Sequence, residues 1–190
     1  MLSLAASMRN RLLLGATTAV VAACAQPCQS IAAETRVALS PTADSVGIRA
    51  YRLGVFPLDG RFNRFQGWLT YDPANHADCR VELRVDVASL TVSSPGMLQR
   101  VLGPDFLDAA HYPSLAFQGS CDRDGLDGRL DMHGVNRPFA LALNWRQRSV
   151  NAVGDLRRGD WGMQALPVLA GPTVRIVVSV RIAGPPRSTP

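Results

Sequence analysis

The chain has 190 residues, enough for one ordinary domain, with 47% hydrophobic and 18% charged residues, a globular rather than a disordered balance. All 20 basic residues are arginine, which excludes lysine chemistry such as a Schiff base or a P-loop lysine. The formal net charge is +5 and the arginines are spread mostly singly, so no nucleic-acid partner is expected.

Residues 1–33 read as a leader. Arg9 and Arg11 form a short positive region, and Leu12 to Ala23 carries no charge but is too short to span a bilayer. An A-x-A pattern at Ala23–Ala25 and the run Ser30-Ile31-Ala32-Ala33 offer cleavage sites, the layout of a secretory signal peptide. Val21-Ala22-Ala23-Cys24 also fits a bacterial lipobox, which would lipidate Cys24. Either outcome exports the chain to the periplasm, and cleavage after Ala33 leaves a mature chain of residues 34–190. Cleavage after Ala33 removes two arginines and no acid, which brings the net charge from +5 to +3.

The mature chain then alternates apolar and polar residues, the mark of half-buried strands. Short runs appear at Val46–Tyr51 and Phe62–Tyr71, separated by Leu58-Asp59-Gly60, which reads as a turn. After Asp72-Pro73, the stretch Cys79 to Val87 is apolar at every odd position and charged at every even one. Ser94-Pro95 opens a helical insert in which Met97, Leu98, Val101 and Leu102 recur at helical spacing, and Gly103-Pro104 ends it. Leu115, Phe117, Gly119 and Cys121 share one face of the next strand. Leu130 and Met132, then Phe139, Leu141 and Leu143 continue the pattern around the turn at His133-Gly134. Val150–Leu156 and the long alternation from Val174 to Ile182 complete roughly eight strands, an all-β antiparallel barrel or sandwich.

Signs of catalysis are absent from this pattern. His76, His111 and His133 occur singly, with no His-x-His, Cys-x-x-Cys or nucleophile elbow beside them. Asp105 and Asp108 read as caps of a turn near Phe106. No catalytic residue, metal site or required cofactor is expected, and the chain reads as a non-enzyme. Cys79 opens one strand and Cys121 closes another, both on the apolar parity. If the two strands pair antiparallel, these ends lie side by side, which favours a disulfide over two buried thiols in an exported protein.

Five segments carry a resemblance: DGRFNRFQGWLTYDP (59–73), VDVASLTV (85–92), PDFLDAAHYPSLAFQGS (104–120), GRLDMHGVNRPFALAL (128–143) and RRGDWGM (157–163). In this order the chain resembles the YceI-like family of exported polyisoprenoid-binding proteins over about residues 43–183. The resemblance implies an extended eight-stranded antiparallel lipocalin-like barrel with a helical insert, one domain over 34–190. It also implies a long apolar cavity for an amphiphilic isoprenoid lipid, polyprenyl or quinone-headed. Two positions depart from the family pattern. Arg52 and Arg100 stand where a histidine is common, and two arginines there would suit an anionic or carbonyl-rich head group. They are equally compatible with solvated surface charges.

The inward parity supplies the wall of such a cavity: Leu69, Leu83, Val85, Phe117 and Met132, with Val81, Leu130, Leu141, Ile176 and Val178. Phe65 and Trp68 lie on opposite parities, and Phe65 is assigned inward because it shares the face of Leu69. Met97, Val101 and Phe106 from the insert are candidate lid residues. The same side chains would also fill a solid core. The expected partner is an isoprenoid lipid or quinone, sequestered or shuttled, with transient membrane or membrane-protein contact. The alternatives are an accessory redox protein acting on a quinone and a filled barrel that serves as an interaction module.

Overall fold

The computed structural model describes residues 34–122, 125–165 and 170–182. The expected leader and the lipobox at Cys24 lie outside the described residues. Eleven antiparallel strand segments follow one another: β1 (Thr35–Leu39), β2 (Ser45–Arg52), β3 (Phe56–Phe62), β4 (Phe65–Tyr71), β5 (Cys79–Asp86), β6 (Leu90–Val92), β7 (Ser114–Cys121), β8 (Leu126–Met132), β9 (Val135–Arg146), β10 (Ser149–Arg157) and β11 (Ala170–Arg181). The helical insert between β6 and β7 is a 3-10 turn over Pro95–Met97 and a short helix α1 (Leu98–Leu102).

Eleven segments replace the eight strands expected, and three bends account for the difference. β2 pairs with β3 while β1 pairs with β4, so β1 and β2 are one run folded at Ser40–Asp44. β3 and β4 are likewise one run bent at Asn63–Arg64, and β5 and β6 one run bent through the 3-10 turn Val87–Ser89. With each bent run counted once there are eight strands, each paired to the next in sequence. The last strand, β11, returns to pair with β2. The ring of hydrogen bonds is therefore closed, as a barrel requires.

Polar side chains shape the bends. Asp86 accepts the Ala88 N–H at 2.9 Å, Asn63 donates to the Ser89 carbonyl at 3.1 Å, and Ser89 donates to the Asp86 carbonyl at 2.6 Å. Phe62, Val87 and Leu90 are buried beneath them. On the outer face, Asp155, Arg175, Arg49 and Asp59 form one row across β10, β11, β2 and β3. Its outer pairs close at 2.8 Å (Arg175–Asp155) and 2.6 Å (Arg49–Asp59). The Arg175 hydrogen bond holds the Asp155 carboxyl below its ordinary value. Exposed pairs of this kind contribute little stability, but the row fits one register only.

Two expectations need correction here. Leu58-Asp59-Gly60 is not a turn but the middle of β3, where Asp59 faces Arg49. β1 was not expected from the sequence. The expected pairing of β5 with β7 is present, and Cys79 and Cys121 form a disulfide with Cα atoms 4.8 Å apart.

Candidate functional site

Strands of this barrel keep their alternation, but the inward faces are not uniformly packed. On β5, Cys79 and Val85 at the two ends are buried, while Val81 and Leu83 between them are only half-buried. On β11, Ile176 and Val178 are half-buried and Val180 is buried. The inward side chains with surface to spare lie midway along the strands, and that surface faces an internal cavity. It measures about 200 Å³ for the centres of water-sized spheres, and about 1750 Å³ as unfilled space followed out through its mouth into solvent. Its lining is almost wholly apolar, which favours apolar guests.

One end is plugged. Trp145 lines the cavity floor, His76 stacks on it at 4.2 Å with the rings 13° apart, and Tyr71 lies 5.5 Å away. The disulfide closes the wall at the same end, where β5 begins and β7 stops. The other end carries the insert and the mouth. Met97, Val101 and Phe106 line the cavity from the insert, and Tyr51 and Arg52 line it from the end of β2. Beyond them the β2–β3 hairpin exposes Leu53, Val55 and Phe56.

Most of the sequence-derived candidates meet in this one space. Leu69, Leu83, Val85, Phe117 and Met132 line its wall, Met97, Val101 and Phe106 its cover, and Arg52 its rim. Two do not. Phe65 is buried and points inward as assigned, with Trp68 exposed on the outer face. Phe65, however, sits just past the Asn63–Arg64 bend and lines a separate surface cleft with Arg64 and Pro113. Arg100 is exposed on α1 and does not line the cavity. The helix is little more than one turn, with Leu98, Val101 and Leu102 packed against the core and Gln99 and Arg100 on its exposed side.

The residue that sequence reasoning missed is Arg158. It opens the 3-10 turn Arg158–Trp161 after β10, is 5% exposed and lines the cavity. Its Nε donates to the Gly171 carbonyl, Nη1 to the Met163 carbonyl and Nη2 to the Ala170 carbonyl, each at 2.9 Å. The Phe106 ring centre lies 5.4 Å from its Cζ. Burial pushes the guanidinium below its ordinary value, and it stays charged at neutral pH. The motif RRGDWGM contains Arg158, but nothing local tells which of its two adjacent arginines turns inward.

The histidines serve other ends. His111 pairs with Asp108 at 2.9 Å on the surface. His133 occupies a left-handed turn position, φ 53°, with its ring 4.7 Å from Tyr112. Among the described residues no group of three or more His, Cys, Asp or Glu gathers as a metal site.

The model of the YceI-like domain family matches residues 38–182. A UPF0312 protein of Vibrio parahaemolyticus is 29% identical over 155 residues, covering 78% of this chain and 82% of its own. Protein YceI of Escherichia coli is 27% identical over 150 residues, 71% of this chain and 78% of its own. Among solved structures, BcnA of Burkholderia cenocepacia is similar with a TM-score of 0.64 at 18% identity, covering 76% of this chain and 99% of that one. A polyisoprenoid binding domain from Saccharophagus degradans, implicated in plant cell wall breakdown, follows with a TM-score of 0.57 at 13% identity, covering 79% and 98%. At these identities the structural likeness is one of fold.

Proposed function

Because the chain belongs to the YceI-like domain family, we propose that it is an exported binding protein that holds a long isoprenoid chain in its barrel and performs no chemistry on it. The observation that carries this reading is the cavity: a closed barrel whose wall is apolar along its length, with polar groups gathered at one end. That is the arrangement an amphiphile needs, with the chain inside and the head at the mouth. The printed description of the Saccharophagus degradans domain as polyisoprenoid binding supports the same ligand class. Each buried CH₂ contributes about 0.8 kcal/mol, so a few isoprene units bind tightly without many polar contacts. Periplasmic residence follows from the leader-like composition of residues 1–33 and agrees with the paired cysteines.

Expression of the full-length gene with its own leader, purification of the exported protein and lipid mass spectrometry of an organic extract test this reading. A stoichiometric isoprenoid, or saturable uptake of added polyprenol or quinone followed by tryptophan fluorescence, is the expected result. An exported, folded protein that carries no lipid and takes up neither compound overturns it.

A further inference from the structure

We propose that the tip of the β2–β3 hairpin is a membrane-docking finger that seats the protein on an anionic lipid bilayer. This rests on the carrier reading above, which supplies the reason for the encounter: the cargo resides in a bilayer before the protein holds it.

Exposed apolar surface is concentrated at this tip. Six large hydrophobic side chains are exposed among the described residues, and four of them, Tyr51, Leu53, Val55 and Phe56, belong to this one hairpin. Apolar residues scattered singly over a surface are ordinary, whereas a cluster marks a contact. The other two are of the scattered kind. Trp68 is covered by the Arg36 guanidinium, 4.2 Å from its ring, and Val177 stands in mid-strand on β11 across from Gly47.

The backbone at the tip is set against its own preference. Leu53 and Gly54 both adopt the left-handed region, with φ 50° and 73°, and the Val55 N–H donates to the Arg52 carbonyl at 3.1 Å. A tight hairpin turn with two such positions favours Asn-Gly or Gly-Gly. A leucine there is strained, and its side chain, 53% exposed, gains little from the fold in return. A Cβ placed on Gly54 would meet nothing within 4 Å, so the tip stands clear of the rest of the molecule. Strain kept at such a place points to a use for the side chain outside the protein.

Size, charge and continuity select a bilayer as the occupant. Four side chains fall far short of the roughly 20–30 residues a side that a stable protein interface engages. A bilayer needs no matching surface, and aliphatic and aromatic side chains beside an arginine suit its interfacial region. From Tyr51 to Pro57 the hairpin carries Arg52 and no acid. The next acid, Asp59, is held by Arg49 at 2.6 Å. Tyr51 and Arg52 line the cavity, and Leu53, Val55 and Phe56 follow directly outside it. The apolar surface of the tip therefore continues into the lumen, and a docked tip gives an isoprenoid a route from bilayer to barrel that avoids water.

The test uses the exported protein with Cys24→Ala in every sample, so that no lipid on that residue anchors the chain. Vesicles of phosphatidylethanolamine and phosphatidylglycerol, or of phosphatidylcholine alone, carry added polyprenol. Sedimentation measures docking, and mass spectrometry of the recovered protein measures loading. The protein is expected to bind the anionic vesicles about fivefold more tightly, the contribution of one arginine near a charged surface. Leu53→Asn is expected to weaken docking about tenfold and to slow loading, and Leu53→Asn with Val55→Thr to weaken docking further. Neither residue lines the cavity, so uptake of detergent-solubilised polyprenol stays unchanged, and the melting temperature holds or rises because asparagine suits the turn. Docking that is absent from the unmodified tip, or equal in both variants, overturns the finger and leaves the carrier reading standing. A dimer in solution that both variants dissolve also overturns it, and gives the tip to a second copy of the chain. A protein that docks through the tip but takes up polyprenol from neither vesicles nor detergent keeps the finger and overturns the carrier reading.

Discussion

The carboxylate of Asp44, 4% exposed, accepts the backbone N–H of Ser40 at 2.8 Å and that of Arg181 at 2.9 Å. The first bond fixes the corner between β1 and β2, and the second ties the end of β11 to that corner. Hydrogen bonds to a charged acceptor contribute about 1.5–3 kcal/mol each, and removal of the acceptor leaves two N–H groups unpaired. Asp44→Ala is therefore expected to lower the unfolding free energy by about 2–4 kcal/mol, read from the urea midpoint. A loss no larger than that of an ordinary surface substitution would show that other contacts hold the corner. Residues of this kind are nearly invisible in a sequence. Asp44 stands among Thr42, Ala43 and Ser45 and looks like part of a loop. Arg158 is hidden for the same reason, because two of its three carbonyl partners lie 12 and 13 positions on. Arg52 was legible as a candidate only through the family resemblance, because it stands where a histidine is common.

At the scale of elements, alternation located β2, β4, β5 and every strand from β7 onward, because a half-buried strand must place apolar residues on every second position. It failed at β3, where Pro57 and Gly60 imitate a turn, and at the bends, where one run counts twice. The insert was legible from Ser94-Pro95, though its helix is only the five residues Leu98–Leu102. The cysteines show what parity and strand ends can establish together: β5 and β7 align Arg80 with Ser120, which sets Cys79 against Cys121 one step on. The bridge closes a loop with a sequence separation of 42, worth about 4 kcal/mol in the chain-entropy model. The Cys79→Ser, Cys121→Ser double variant is expected to lose about 2–4 kcal/mol of stability, measured by denaturation of both proteins under identical conditions. Unchanged stability after reduction would contradict this.

At the scale of the whole molecule, hydrophobic periodicity names the inward face but carries no information on the distance to the opposite wall. A solid barrel and a hollow one share the same pattern, so the cavity became visible only with all eight walls in place. Binding in this cavity also sets a measurable response. A ligand present at about a hundred times its dissociation constant adds about 2.7 kcal/mol of stability, which raises the melting temperature of a chain this size by roughly 5–10 °C. Thermal scans with and without added polyprenol or quinone check this. No shift at saturating ligand would show that the compound does not bind the native barrel.

The pairing of β2 with β11 also determines when a binding site can exist. It sets Ser45 against Ser179 and Val46 against Val178, so the closing seam joins opposite ends of the folded chain. All other neighbours in the ring are consecutive runs and can zip together as hairpins, whereas this seam carries the largest loop-closure cost and belongs late in folding. Until β11 docks, the sheet is a curved strip with two raw edges and no interior. The anchors of Arg158 at Ala170 and Gly171 arrive with that same strand. The lumen and the buried anchoring of Arg158 thus appear in a single event, and a lipid can be taken up only by a protein whose β11 has already reached β2.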